Sequence, residues 1–110
     1  MVTTAAGSVG SAVGQLAKIY GCRTIGLTSS DNKVAMCKNK FGYDEVINYK
    51  EENDLSSSIK KIAPNGIDCF FDNVGGIQFD AVMENLNFKA RIVICGTIGM
   101  PSFPIPIGPR

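Results

Sequence analysis

Apolar residues along this chain follow two alternating periods, one typical of helices and one typical of buried strands. Four segments place apolar residues three and four positions apart, which predicts four amphipathic helices. Ser30-Asp31 is a cap for the second helix, and Asn53 or Asp54 is a cap for the third. The residues that mark the helices are Val9, Val13, Leu16, Ala17 and Tyr20; Val34, Cys37 and Phe41; Leu55, Ile59 and Ile62; and Phe79, Val82, Met83 and Leu86.

Short apolar runs between these helices predict strands. They cover residues 22–28, 45–49, 67–72 and 91–95, and residues 1–4 are left for a strand before the first helix. Strand and helix therefore alternate throughout. Because the connections are short, they imply right-handed crossovers and a parallel sheet covered by helices on both faces, which is an α/β fold.

The last ten residues break this pattern. Residues 101–110 contain four prolines, with Phe103, Ile105 and Ile107 between them. Proline interrupts helices and central strands, so this segment is expected to run extended. We therefore divide the chain into a domain at residues 1–99 and a Pro-rich linker or severed connection at residues 100–110.

Composition excludes several classes of protein. The 110 residues make one domain at most, and the formal net charge of +1 leaves no broad basic face for nucleic acid or an anionic membrane. No histidine is present, which excludes a Ser-His-Asp triad and a His-containing metal site. The four cysteines lie in apolar segments without a Cys-x-x-Cys pair, so we expect reduced core thiols. Without a signal peptide or a membrane-spanning run, a cytoplasmic location is expected.

The sequence AAGSVG at residues 5–10 carries the strongest chemical signal. It matches the pattern G-x-G-x-x-G with Ala5 in the first position, and it stands between a predicted strand and a helix. Such a turn brings backbone N–H groups and the positive end of a helix close to a pyrophosphate. Gly10 and Gly14 favour a close start and close packing of that helix, although glycines that serve packing alone are the alternative.

The end of the second predicted strand favours NADP over NAD. An NAD site usually has an acidic residue there for the ribose 2′-hydroxyl, whereas this chain has Ser29 and Ser30. Small hydroxyl residues leave room for a 2′-phosphate, and Lys33 supplies a counter-charge one turn into the helix. Asp31 is the contrary signal unless it turns away from the phosphate.

Other polar groups follow the later strands, at the edge where such sheets bind ligands. They are Tyr49, Asp72-Asn73 and Cys95-Gly96-Thr97. No pair of carboxylates, metal cluster or nucleophile with its base is recognisable. If chemistry occurs here, a bound cofactor supplies it.

Several motifs together resemble one group of proteins. In order, they are AAGSVG at residues 5–10, SDNKV at 30–34, FGYD at 41–44, INYK at 47–50, FDNVGG at 71–76 and RIVICG at 91–96. They resemble the zinc-independent medium-chain dehydrogenase/reductases, in the group of prostaglandin reductases, leukotriene B4 12-hydroxydehydrogenases and plant alkenal double-bond reductases. The resemblance extends to about Gly99 and implies a Rossmann-type doubly wound parallel sheet, incomplete here.

This resemblance implies an NADP-dependent reduction of the carbon–carbon double bond of an α,β-unsaturated aldehyde or ketone. It further implies a small-molecule substrate, no metal, and a homodimer of the full-length protein. The pyrophosphate turn corresponds to residues 8–11, the 2′-phosphate contacts to Lys33 and Tyr49, and a cofactor-binding asparagine to Asn73. The implied cofactor-binding residues are Gly7, Ser8, Val9, Gly10, Ser11, Lys33, Tyr49, Asn73, Cys95, Gly96, Thr97, Ile98, Gly99 and Met100.

Two departures from the family pattern matter. Pro101-Ser102 stand where the family usually has a Tyr-Asn pair whose tyrosine orients cofactor and substrate. The substrate domain, a full first strand and a sixth strand are also missing, which suggests a fragment that is inactive alone, and no catalytic residue is assigned. A non-catalytic NADP-binding or structural module is the alternative. A methyltransferase is disfavoured, because its ribose contact requires an acidic residue where Ser29 and Ser30 lie.

Overall fold

The structure is a computed structural model that describes residues 1–95. It contains four α-helices: α1 (Ser8–Ile19), α2 (Asp31–Asn39), α3 (Leu55–Ile62) and α4 (Gly76–Met83). A short 3₁₀ helix covers Tyr49–Glu51. The predictions made for residues 96–110 lie outside the described residues.

Four strands alternate with these helices: β1 (Ile25–Thr28), β2 (Glu45–Asn48), β3 (Ile67–Asp72) and β4 (Leu86–Ile94). β1 pairs in parallel with β2, and β3 pairs in parallel with β4. The predicted α/β fold with a parallel sheet is confirmed. No helix within residues 1–95 is long and apolar enough to cross a membrane.

An N-terminal segment, residues 1–5, joins the two strand pairs into one sheet. Val2 bridges Gly26 of β1 on one side and Phe71 of β3 on the other, both in parallel. Its N–H donates to the carbonyl of Ile25 at 2.9 Å, while the N–H of Thr3 donates to Phe71 at 3.2 Å. The sheet order is therefore β2, β1, N-terminal segment, β3, β4, as the doubly wound topology requires.

Two apolar cores lie on the two faces of this sheet. One contains β-strand residues such as Leu27 and Phe70 packed with Ile59 of α3 and Val82 of α4. The other contains Val2, Ala5, Cys37 and Tyr43, packed against partly buried residues of α1 and α2. Adjacent strand residues enter opposite cores, because successive side chains of a strand point to opposite faces.

The last helix and strand begin earlier than the sequence predicts. Leu86, predicted as the end of a helix, is the first residue of β4 and pairs with Ile67. The register shifts between Ile67 and Cys69, and Lys89 has a positive φ of 64°. The first part of β4 is not predicted from the sequence, because a shifted register interrupts the regular alternation of buried and exposed residues.

The inward face of α1 also differs from the prediction. Leu16 and Tyr20 are exposed, while the glycines Gly10 and Gly14 are buried. The helix lies so close to its neighbours that small residues fill the contact, and the larger apolar residues are displaced to the outside.

The expectation of four core thiols is wrong for three of them. Cys37 is fully buried, whereas Cys22, Cys69 and Cys95 are exposed. Cys22 lies in the turn between α1 and β1, and Cys69 lies beside Phe70, whose side chain occupies the buried face of β3. Burial raises the pKa of the Cys37 thiol.

Candidate functional site

The glycine-rich turn opens α1 and leaves backbone N–H groups free. Gly7 is the residue before the helix, has extended backbone, and makes no side-chain cap. Its carbonyl accepts the first helical bond, from the N–H of Ser11 at 2.8 Å. The N–H groups of Ser8, Val9 and Gly10 therefore have no partner within the helix, and they form a positive end that suits an anion.

Gly10 is required by the close approach of α1 to the end of the N-terminal segment. A Cβ atom at Gly10 would overlap the carbonyl oxygen of Thr4 and lie 3.0 Å from the Cα of Ala5. Thr4 itself has a positive φ of 50°, so the chain turns sharply here. A larger residue at position 10 would move the start of the helix away from the turn.

Tyr43 holds the first two turns of α1 from the other side. Its hydroxyl donates to the carbonyl of Gly10 at 2.8 Å, and its ring occupies the space that a Cβ of Gly14 would need. Burial raises the pKa of the Tyr43 phenol, which keeps this donor protonated. Gly14 thus packs on a tyrosine from the loop before β2, and not directly on the sheet.

Lys33 lies one turn into α2, beside the end of β1. Its Nζ donates to Ser29 Oγ at 3.4 Å, and its backbone N–H donates to Ser30 Oγ at 3.3 Å. Ser30 is therefore the N-cap of α2, and the exposed ammonium group of Lys33 is directed toward the hydroxyl residues that follow β1.

The acidic residue near this group is bound by a side chain of the neighbouring strand. Asp31 Oδ1 accepts a hydrogen bond from Asn48 Nδ2 at 3.1 Å, at the end of the neighbouring strand β2. The Asp31 carboxylate thus binds the end of β2, and Asp31 is not among the residues that line the same cleft as Lys33.

A cleft at the carboxyl edge of the sheet brings three of the predicted site residues together. It has a volume of about 150 Å³, and Gly7, Lys33 and Tyr49 line it. The remaining lining residues are Thr4, Ala6, Thr28, Ser29, Val74 and Gln78. One cation and small hydroxyl residues thus line one space, next to Gly7, the residue that precedes α1.

Asn73 contributes to this edge in another way. Its Nδ2 donates to the carbonyl of Thr3 at 2.9 Å, and its backbone N–H donates to Thr3 Oγ1 at 2.7 Å. Asn73 therefore fastens the turn after β3 to the N-terminal segment, and it is not among the residues that line the cleft. Its contact with a cofactor stays a prediction.

Asp72 organises the same turn from a buried position. Its Oδ1 accepts from Thr3 Oγ1 at 3.0 Å and from the N–H of Val74 at 3.1 Å, and its Oδ2 accepts from the N–H of Gly75 at 2.9 Å. These bonds satisfy the buried carboxylate and set the course of the chain into α4.

A second cavity of about 420 Å³ adjoins the cleft and shares three of its residues. Tyr49, Val74 and Gln78 line both spaces. Glu52, Asn53, Leu55, Gly75 and Ile77 complete the second cavity. Gln78 Oε1 is buried and has no hydrogen-bond partner among the described residues.

The sequence does not predict every residue that lines the cleft, and some predicted site residues are not among the residues that the structure describes. Thr4, Ala6, Val74 and Gln78 line the cleft without having been predicted. Ala6 and Val74 belong to the motifs AAGSVG and FDNVGG, and Thr4 and Gln78 lie beside them in sequence, which is the only signal for these four residues. Cys95 lies just past β4, where its N–H donates to the carbonyl of Asp72 at 2.7 Å, and residues 96–100 are not described.

Known proteins match this chain over nearly its whole length. The model of a family described as zinc-binding dehydrogenase matches residues 8–109. (+)-Pulegone reductase from Mentha piperita is 49% identical over 107 residues, which are 97% of this chain and 31% of that protein. The 2-alkenal reductase (NADP(+)-dependent) of Nicotiana tabacum is 50% identical over 97 residues, which are 88% of this chain and 28% of that protein.

Solved structures agree with the sequence relatives. CurA from Vibrio vulnificus, solved in complex with NADPH, matches with a TM-score of 0.85 and 44% identity, covering 94% of this chain and 32% of that chain. The Escherichia coli quinone oxidoreductase complexed with NADPH gives a TM-score of 0.80 and 29% identity, covering 97% of this chain and 32% of that chain. This chain thus spans about a third of the length of the relatives that it matches.

Proposed function

We propose that this chain, which belongs to the zinc-binding dehydrogenase family, is the NADP(H)-binding part of a double-bond reductase. Within that family it belongs to the zinc-independent group of medium-chain dehydrogenase/reductases. Residues 1–99 form the cofactor-binding domain in this proposal. The observation that carries it is the cleft, where Gly7, Ser29, Lys33 and Tyr49 meet at the carboxyl edge of the sheet.

The described residues fit the charge pattern of NADPH. The free N–H groups of Ser8, Val9 and Gly10 suit the pyrophosphate, and the glycine at position 10 lets the helix start close to it. Lys33 and the neighbouring hydroxyl of Ser29 suit the 2′-phosphate. Ser11 belongs to the same turn, and Tyr49 borders the space between these groups.

The proposed substrates are α,β-unsaturated aldehydes and ketones. The relatives named for pulegone and for 2-alkenals support this, because both substrates have a carbon–carbon double bond conjugated to a carbonyl. When bound, NADPH supplies the hydride for the β-carbon of such a substrate. The residues of this chain bind and orient the cofactor, and the predicted role of Cys95 and residues 96–100 is to border its nicotinamide end. A cytoplasmic location and a homodimer of the full-length protein remain parts of the proposal.

The proposal is tested by binding and by turnover. NADPH fluorescence is titrated with the chain, and we expect saturable binding that is tighter for NADPH than for NADH. Turnover is measured in a chimera in which this chain replaces the matching third of the tobacco 2-alkenal reductase, with NADPH and an unsaturated ketone such as pulegone. Binding without double-bond reduction favours the non-catalytic module, and a chimera that only oxidises alcohols refutes the proposed reaction.

A further inference from the structure

Tyr43 joins the first turns of α1 to the rest of the fold. The residue is buried, and its hydroxyl donates to the carbonyl of Gly10 at 2.8 Å. Its ring fills the space beside Gly14, one turn further along the helix. Gly10 is the third residue of α1, so this bond holds the helix within its first turn, where the backbone N–H groups that suit a pyrophosphate are free.

Tyr43 is itself held in place by α2 and β1. Its backbone N–H donates to the carbonyl of Cys37 at 3.1 Å, and the N–H of Asp44 donates to the carbonyl of Thr24 at 3.0 Å. A Cβ atom at Gly26 of β1 would lie 3.2 Å from the Tyr43 ring, so the ring packs directly on this strand. The Tyr43 hydroxyl is therefore a fixed point to which the start of α1 is bonded.

The start of α1 has little other side-chain support within residues 1–95. On the outward side, Val9 is 47% exposed and Leu16 is 55% exposed. On the inward side, the buried residues are Gly10 and Gly14, which have no side chains to anchor the helix. The position of the first turn therefore depends on the bond from Tyr43 and on the backbone turn that precedes the helix.

We propose that Tyr43 is a positioning residue for the pyrophosphate of the bound dinucleotide, because its hydroxyl holds the N–H groups of residues 8–10 in place. This inference rests on the proposed function. Hydrogen bonds weaken steeply as their angle departs from linearity, so a tilt of the first turn lowers the affinity for the anion. Tyr43 differs from Lys33 in this role, since NADPH and NADH share the pyrophosphate and only NADPH has the 2′-phosphate.

The test is Tyr43→Phe, which removes the hydroxyl and keeps the ring. Kd is measured for NADPH and NADH by fluorescence, and for ADP-ribose and adenosine 2′-monophosphate by displacement of NADPH. We expect Kd to rise about three- to tenfold for NADPH, NADH and ADP-ribose, which is the range for one neutral hydrogen bond. Adenosine 2′-monophosphate has no pyrophosphate, so its Kd is expected to change by less than about twofold.

Two control variants separate positioning from a general loss of stability. Tyr20→Phe removes a hydroxyl from an exposed residue at the other end of α1 and is expected to change no affinity. Ile59→Val removes one methyl group from the core on the opposite face of the sheet, and it is expected to lower the stability in urea about as much as Tyr43→Phe does. Ile59→Val is expected to leave all four Kd values unchanged.

Three results overturn the inference. They are unchanged Kd values for NADPH, NADH and ADP-ribose in Tyr43→Phe, an equal loss for adenosine 2′-monophosphate, and an equal loss of affinity in Ile59→Val. A different result, in which the unsubstituted chain binds neither NADPH nor ADP-ribose, refutes the proposed function and this inference with it. The two failures are therefore distinguishable.

Discussion

Lys33→Ala is expected to weaken NADPH binding strongly and NADH binding very little. The Nζ of Lys33 is exposed and lies 3.4 Å from Ser29 Oγ, at the mouth of the cleft. A unit charge about 4 Å away in water contributes about 1 kcal/mol, and a phosphate has a charge of about −1.5 to −2. The loss for NADPH is therefore about 1.5 to 2 kcal/mol, which is an increase in Kd of about 10- to 30-fold.

NADH lacks the 2′-phosphate, so its Kd is expected to change by less than about twofold. The assay is a titration of both nucleotides with the unsubstituted chain and with Lys33→Ala. Lys38→Ala is the matched control, because Lys38 lies on the exposed surface of the same helix and does not line the cleft. It is expected to leave both affinities unchanged.

Salt gives an independent check of the same electrostatic argument. Screening between about 0.05 M and about 0.5 M salt weakens NADPH binding to the unsubstituted chain, since the Debye length falls. Lys33→Ala is expected to show a smaller dependence on salt. Equal losses of NADPH and NADH, or an unchanged salt dependence, refute the argument that Lys33 selects the phosphorylated cofactor.

Three further predictions concern the frame around the cleft. Gly10→Ala is expected to lower the free energy of unfolding, measured by urea denaturation, by about 1 to 3 kcal/mol, because the new Cβ overlaps the carbonyl of Thr4. Gln15→Ala, on the exposed side of the same helix, is the control and is expected to leave the free energy of unfolding nearly unchanged. Asp44→Asn is expected to lower the free energy of unfolding by about 1 kcal/mol at pH 7, because Lys18 and the Thr24 N–H bind the carboxylate and lower its pKa below 3.8. This difference between the two proteins disappears as the pH falls below 3.8 and through the lowered pKa, and a constant difference down to pH 2 contradicts the prediction. A thiol reagent is expected to modify Cys22, Cys69 and Cys95 rapidly in the folded chain and Cys37 only on unfolding, and rapid modification of all four contradicts the burial of Cys37.

The sequence predicts the order of the elements, and it predicts an element boundary where that boundary has a local chemical cause. Ser30 and Asp54 cap their helices through side-chain bonds, as their residue types predict. The strand at residues 67–72 is confirmed with both ends. The start of β4 is missed because a register shift and the positive φ of Lys89 interrupt its periodicity.

The candidate site is predictable only where a residue type has one dominant use. Glycines before a helix and a lysine after a strand indicate phosphate contacts, and Gly7 and Lys33 do line one cleft. Asn73 has several uses, and the structure shows it bonded to Thr3. Gln78 carries no signal in the sequence, since only the folded chain reveals that it lines both the cleft and the second cavity.

The N-terminal segment has a consequence for the order in which this molecule folds. Residues 1–5 must pair with β1 and with β3, and the bond from Thr3 Oγ1 to Asp72 joins residues 69 positions apart. Contacts between residues so distant in sequence form slowly, because the chain loses conformational entropy in closing the long loop before the contacts contribute any stabilising free energy. During synthesis, residues 1–5 cannot complete their pairing until β3, more than sixty residues later in the chain, has been made. The phosphate-binding turn begins directly after this segment, so it gains its final position only when the sheet closes.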